Sequence, residues 1–191
     1  MKKVLIIIIL IFSAIGLNSS GVKFELFDNN NFARFDLLNW IKKDHYDIYC
    51  LLKRESADTS GKINFKVYND INCVGAPQFK FRYLKAFGYN FELADFKRNP
   101  MIFPESDQIA LILKIQFKIK KSLRSLDKFV GHKFHNIKVK PEGIFFASWI
   151  SGVVNVKTYF RTEGKHDPHD KNLIKLSDYL NINSKKGIKM E

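Results

Sequence analysis

Glycine and proline are scarce, 10 and 5 in a chain of 191 residues, which excludes a collagen-like repeat and a Gly/Pro-rich spacer. Two cysteines exclude a disulfide-dense mini-scaffold and a four-cysteine zinc module. No Walker loop, GxGxxG, HExxH or GxSxG occurs, so the common phosphate, dinucleotide, zinc-protease and serine-hydrolase signatures are all missing. Acidic side chains are in the minority, 19 against 32 Lys and Arg, for a formal charge of +13. What the chain does have is apolar bulk: 46% hydrophobic residues, 18 of them Phe, too much for a disordered chain and enough for one core.

Met1-Lys2-Lys3 followed by the apolar run Val4 to Leu17, with small residues at Ala14 and Gly16, fits a secretory signal over residues 1–20, cleaved near Gly16 or Ser20. The polar Asn18-Ser19-Ser20 stops the run short of the roughly 20 apolar residues a spanning helix needs. An uncleaved anchor is the alternative. Export to the periplasm or beyond then sets the meaning of the charge: no nucleic acid is expected as a partner, and acidic protein surfaces or anionic glycans are. It also permits a disulfide between Cys50 and Cys73, closing a loop of about 24 residues worth roughly 3 kcal/mol in the chain-entropy picture.

The dominant periodicity is two. Ile109, Leu111, Leu113, Ile115, Phe117 and Ile119 alternate with Ala110, Ile112, Lys114, Gln116 and Lys118, which predicts a half-buried strand. Ile63/Phe65/Val67, Phe79/Phe81/Tyr83, Tyr46/Ile48/Cys50/Leu52 and Val154/Val156/Phe160 repeat the pattern, with turn signals such as Asp58-Thr59-Ser60-Gly61 and Pro141-Glu142-Gly143 between them. The expected fold class is therefore all-β, an antiparallel β-sandwich or jelly roll over residues 21–182. A short C-terminal helix from Asp170 to Leu180 and a basic tail over 183–191 complete it, and Ser122 to Phe129 is a further short helix candidate.

The best binding feature is basic. Lys114, Lys118 and Lys120 fall on one face of the long strand, and Lys121, Arg124 and Lys128 follow at once, a cluster whose self-repulsion an acidic partner relieves. The competing reading is a lysine-guarded sheet edge. His132/His135 and His166/His169 are spaced i, i+3; His166 and His169 are weak metal candidates in a turn with Asp167 and Asp170, and surface loop histidines are the plainer reading. Glu25, Asp28, Asp36 and Asp47 crowd the N-terminal quarter, with nothing to set two of them across a substrate. Trp40, Tyr89, Phe146 and Trp149 can form a sugar-stacking platform or fill the gap between sheets, the latter being the commoner use of such rings. No catalytic residue and no cofactor follow from these patterns.

Phe81-Arg82-Tyr83-Leu84-Lys85-Ala86-Phe87-Gly88-Tyr89-Asn90-Phe91-Glu92-Leu93, leading to Pro100 and Pro104, and later Ile144-Phe145-Phe146-Ala147-Ser148-Trp149 with Val153 to Val156, resemble strands of the spirochaete flagellar filament outer-layer (sheath) proteins. The resemblance covers residues 79–160, with Ser148 where that family carries Gly. It implies a jelly roll, export, packing on the flagellar filament and no catalytic residues. The resulting expectation is a non-enzymatic, exported β-sandwich joined through its basic face to a periplasmic assembly. A carbohydrate- or host-glycan-binding module and a metal-dependent hydrolase are the alternatives.

Overall fold

The computed structural model describes residues 37–181 except Asp70 and Lys171. The signal segment, Glu25, Asp28, Asp36 and the basic tail lie outside these residues.

The described chain is mainly helical, not a β-sandwich. In order it forms α1 (Leu37–Asp44), α2 (Tyr46–Ser56), β1 (Cys73–Val74), β2 (Phe79–Lys80), α3 (Phe81–Ala86), α4 (Leu93–Arg98) and α5 (Glu105–Leu123). A 3₁₀ helix (Arg124–Phe129), β3 (Lys133–Phe134), β4 (Ile137–Lys138), α6 (Pro141–Ser151), α7 (Val153–Arg161) and α8 (Leu176–Leu180) follow. Sheet is confined, among the described residues, to two antiparallel hairpins of two residues per strand and three isolated bridges.

The long run at 105–123 shows why helix prevails. Its buried apolar set includes Ile109, Ile112, Ile119 and Leu123, and Gln116 is buried with them. Together they step by three and four residues down one side of a helix. Phe117, which alternation assigns to the buried face, is 62% exposed, whereas Ile112, assigned to the outer face, is fully buried. Pro104 in extended conformation starts this helix, and Glu105 and Asp107 sit in its first turn, where acids favour the helix dipole. Two of the other runs resolve similarly: Val156 and Phe160 are i, i+4 on α7, and Ile48, Leu51 and Leu52 make one stripe on α2.

Helix α6 occupies the centre. Gly143 through Ser148 are all buried, so the helix is apolar on every side, as interior helices are. It packs against α2, α5, α7 and α8. Ser148, the residue that departs from the sheath-protein pattern, donates its hydroxyl to Ile144 O at 2.7 Å and so sits in the core with its polar atom satisfied. The jelly roll implied by that resemblance is not the architecture found. The filament-associated sandwich and the glycan-binding sandwich, both of which required it, fall with it.

The disulfide is also absent. Cys50 lies on α2 within the main core, Cys73 is buried on β1 outside that cluster, and the two are not bridged. Burial pushes the Cys50 thiol up, against reactivity. Unfolding the protein without reductant should expose two titratable thiols per chain, measured with a colorimetric thiol reagent; a count of zero would contradict the structure.

Candidate functional site

The expected basic face is divided by the helix. Lys114, Lys118 and Lys121 are spaced i, i+4, i+7 and share one exposed stripe of α5, with Lys114 and Lys118 both over the Phe87 ring, 5.4 and 4.8 Å from its centroid. Lys120 turns to another side. Its ammonium lies 3.0 Å from Oδ2 of buried Asp47, whose Oδ1 accepts from Gln116 Nε2 at 2.6 Å. Arg124 and Lys128 are exposed on the 3₁₀ helix. Lys120 therefore has a structural partner, and the six cations do not form one surface.

The remaining candidates disperse too. His132, His135, His166 and His169 are exposed, and no group of three His, Cys, Asp or Glu among the described residues is arranged to hold a metal ion. Metal-dependent hydrolysis through the histidine pairs thus has no site there. Trp149 is half-buried with its ring 5.6 Å from Phe79 and 6.0 Å from Phe145, Phe146 is fully buried, Tyr89 packs 4.8 Å from Phe103, and Trp40 lies against His45. These rings are largely core, not platform.

One carboxyl stands apart, and the sequence patterns did not single it out. Glu55 lies one residue before the C-terminal end of α2, where the unpaired carbonyls of the helix make a partial negative charge. The chain turns sharply just beyond it. Ala57 is extended and pairs with Ile63, Asn64 N donates to Ser56 O, and the intervening turn is closed by Asp58, whose Oδ1 accepts from Ser60 N, Ser60 Oγ and Lys62 N. Lys53 Nζ donates to Gly61 O across the same turn. The end of α2 is held from both sides.

Glu55 itself is hardly tied. Its side chain is 21% exposed, and its one close polar neighbour among the described residues is Arg54, Nε to Oε1 3.8 Å, too far for a hydrogen bond. Burial raises the Glu55 carboxyl above the ordinary value, and the Arg54 charge only partly offsets this. Arg54 is itself fixed: its guanidinium lies 4.5 Å from the Tyr179 ring centroid and 5.3 Å from that of Phe146. The Tyr179 hydroxyl donates to Asp170 Oδ2 at 2.6 Å, while Asp170 Oδ1 accepts from Asn172 N and Ile174 N. Burial opposes charge on Asp170, but those three donors prevail and hold its carboxyl below the usual value. Two acids thus stand on either side of an arginine–tyrosine stack, one biased towards neutral and one towards charged. Asp107 on α5 is also raised by burial, but Ser106 bonds to it.

No family model, curated protein or solved structure matches this chain. The chemistry must therefore be read from the site itself.

Two cavities occur elsewhere, and Glu55 lines neither. One of about 340 Å³ gathers His135, Tyr159, Asp167 and Ser177. There the Ser177 hydroxyl donates to Asp167 Oδ2 at 2.7 Å and its backbone N–H to Oδ1 at 2.9 Å, so Asp167 works as a cap for α8, and no histidine among the described residues is bonded to Ser177. The other cavity is taken up below.

Helix α8 reaches the site because Gly143 lets it. A Cβ on Gly143 would lie 2.3 Å from Leu180 O and 3.0 Å from Leu180 C, both backbone atoms that no rotamer change can move. Gly→Ala within a helix ordinarily gains about 1 kcal/mol. Overpacking costs about 1–3 kcal/mol, so Gly143→Ala should destabilise by about 1 kcal/mol net, read by urea unfolding, and should disturb Tyr179 beside the displaced Leu180.

What the sequence offered for Glu55 is its place at the end of a three-to-four-residue apolar stripe, directly before a polar turn. Reading 46–52 as a strand hid that end.

Proposed function

We propose that the protein is a carboxylic-acid-dependent hydrolase that cleaves a glycosidic bond, with Glu55 as the general acid that protonates the leaving oxygen while water bonds to the anomeric carbon and gives up its proton to solvent. The observation that carries the reading is the Glu55 carboxyl: partly exposed, without a hydrogen-bond donor among the described residues, and shifted by burial towards its protonated form. A carboxylic acid whose burial favours the protonated form suits protonation of a poor alkoxide leaving group, and glycosidic oxygen is a biological leaving group that depends on it. Arg54 limits how far the carboxyl rises, and the Tyr179–Asp170 pair fixes Arg54. In a structural role Glu55 would be expected to accept hydrogen bonds from neighbouring donors, as Asp58, Asp167 and Asp170 do.

The charge supports an anionic glycan as substrate. With +13 overall and the Lys114–Lys118–Lys121 stripe free of carboxylate partners among the described residues, an acidic polymer is drawn in and held away from the reacting bond. Lys114→Gln/Lys118→Gln/Lys121→Gln should raise KM for such a glycan about tenfold at low salt and leave kcat near its starting value, the pattern of lost uniform binding. An equal loss in kcat would contradict a holding role for the stripe.

The decisive experiment compares wild type with Glu55→Gln on purified carboxylate-bearing cell-wall glycan, following release of reducing ends or soluble fragments. Wild-type cleavage that the variant lacks supports the proposal; no cleavage by either, or equal cleavage by both, defeats it.

A further inference from the structure

The second cavity lies between the 3₁₀ helix and α7, far in sequence from Glu55 and lined by neither Arg54 nor Tyr179. It is an open depression of about 430 Å³. Its lining is unusual in charge. Lys128, Lys157 and Arg161 contribute to it, together with Ser125, and no carboxylate residue does. None of the three cations has an ion-pair partner among the described residues. Asp127, the acid next in sequence to Lys128, is exposed and is not part of the lining. Arg161 has only a long contact, Nη2 to Thr158 Oγ1 at 3.5 Å, and Lys128 rests over Phe129 at 5.1 Å.

The fold brings these charges together on purpose-built spacing. Lys157 and Arg161 are i, i+4 on α7, and Ser125 and Lys128 are i, i+3 on the 3₁₀ helix, where such pairs eclipse. Below them Phe129 and Phe160 lie with ring centroids 4.8 Å apart at 30°, joined by Leu126. Three like charges around an apolar floor repel one another, and an oxyanion among them removes that cost. Arg supplies the planar fork that matches phosphate, and the two lysines supply point charges.

We infer that this cavity is a binding site for a phosphate group carried on an apolar body, the phosphate held by Lys128, Lys157 and Arg161 and the apolar part lying on Phe129 and Phe160. The inference is independent of Glu55 chemistry. The carrier of the phosphate is either a soluble phosphomonoester or a lipid, and the test separates them.

The full chain is titrated with inorganic phosphate and with phenyl phosphate while the backbone amides are followed by NMR. Phenyl phosphate should bind about tenfold more tightly than inorganic phosphate and shift Ser125, Leu126, Phe129 and Phe160. Lys157→Gln/Arg161→Gln, both changes at exposed positions, should weaken it about tenfold or more. Lys157→Arg should retain binding, which separates lost charge from lost fold. If vesicles of phosphatidylglycerol, but not of phosphatidylcholine, displace phenyl phosphate, the natural source is lipid; if vesicles leave it bound, the source is soluble. Shifts scattered over other lysines, equal affinity for the two phosphates, or equal binding by the double variant would overturn the site.

Discussion

Glu55→Gln abolishes turnover in the proposed reaction, by about 10²–10⁴-fold, the usual contribution of a positioned general acid, and leaves the protein more stable at neutral pH. The first effect follows because the amide matches the carboxyl in shape but cannot release a proton to the leaving oxygen. The second follows from linkage. Burial raises the folded-state pKa of Glu55 above its unfolded value, so between those two values the folded chain holds more protons than the unfolded one. Stability then falls as pH rises through that window and remains reduced above it. Glutamine carries no such penalty. Thermal melts should place the variant above wild type at pH 7 and level with it near pH 3, where both side chains are neutral. Activity with pH should show a descending limb set by the Glu55 carboxyl, and Arg54→Gln should move that limb upward by removing the one nearby cation. Loss of activity with unchanged stability at both pH values would mean that Glu55 is not desolvated, and the assignment of a neutral acid would go with it. A group that weakens the fold while serving the reaction is the expected signature of a functional site.

The second large effect separates two adjacent lysines. Lys120→Met should destabilise the protein by about 2 kcal/mol, between the small worth of exposed pairs and the 3–5 kcal/mol of fully buried ones, whereas Lys121→Met should change it by less than about 0.5 kcal/mol. Asp47 is 5% exposed; its Oδ1 accepts from Gln116 Nε2 and from Ile48 N at 3.0 Å, while its buried Oδ2 has no hydrogen bond and is met by the charge of the Lys120 ammonium 3.0 Å away. Removing the ammonium leaves a buried carboxylate with half its compensation. Lys120 is itself half exposed, which is why the cost falls short of the buried limit. In an Asp47→Asn background the Lys120→Met cost should nearly vanish, since the charge it served is gone. Equal costs for the two lysines in urea unfolding would show that α5 does not present them to different sides.

The helix–strand error in 105–123 has a specific cause. Nine apolar positions in nineteen residues satisfy period two and period 3.6 at once, because Ile and Leu occupy both Leu111/Leu113 and Ile109/Ile112. The discriminating positions are polar ones that the core accepts. Gln116 is buried because Asp47 receives its amide, and Gln108 because Ala76 N donates to it and Phe65 O and Phe103 O receive its amide. These partners lie dozens of residues away for all but Phe103, so no local reading of 105–123 contains them. The same holds for the cysteines. Two thiols about two dozen residues apart are compatible with a bridge in sequence, but packing buries Cys50 in the main core and Cys73 outside it, unbridged.

Glu55 was hidden for a related reason. Its character comes from burial and from Arg54, and Arg54 is held by Phe146 and Tyr179, which α6 and α8 bring from the far end of the chain; nothing in Arg54-Glu55-Ser56 announces them. By itself the sequence determined charge, apolar content, the missing cofactor motifs and the turn at Asp58-Thr59-Ser60-Gly61, all of which depend on composition or on residues a few places apart. Tertiary structure alone decided helix over strand, which lysine is neutralised, and which carboxyl loses its water. Those outcomes are set by desolvation and pairing across the fold, and both arise only when distant segments pack.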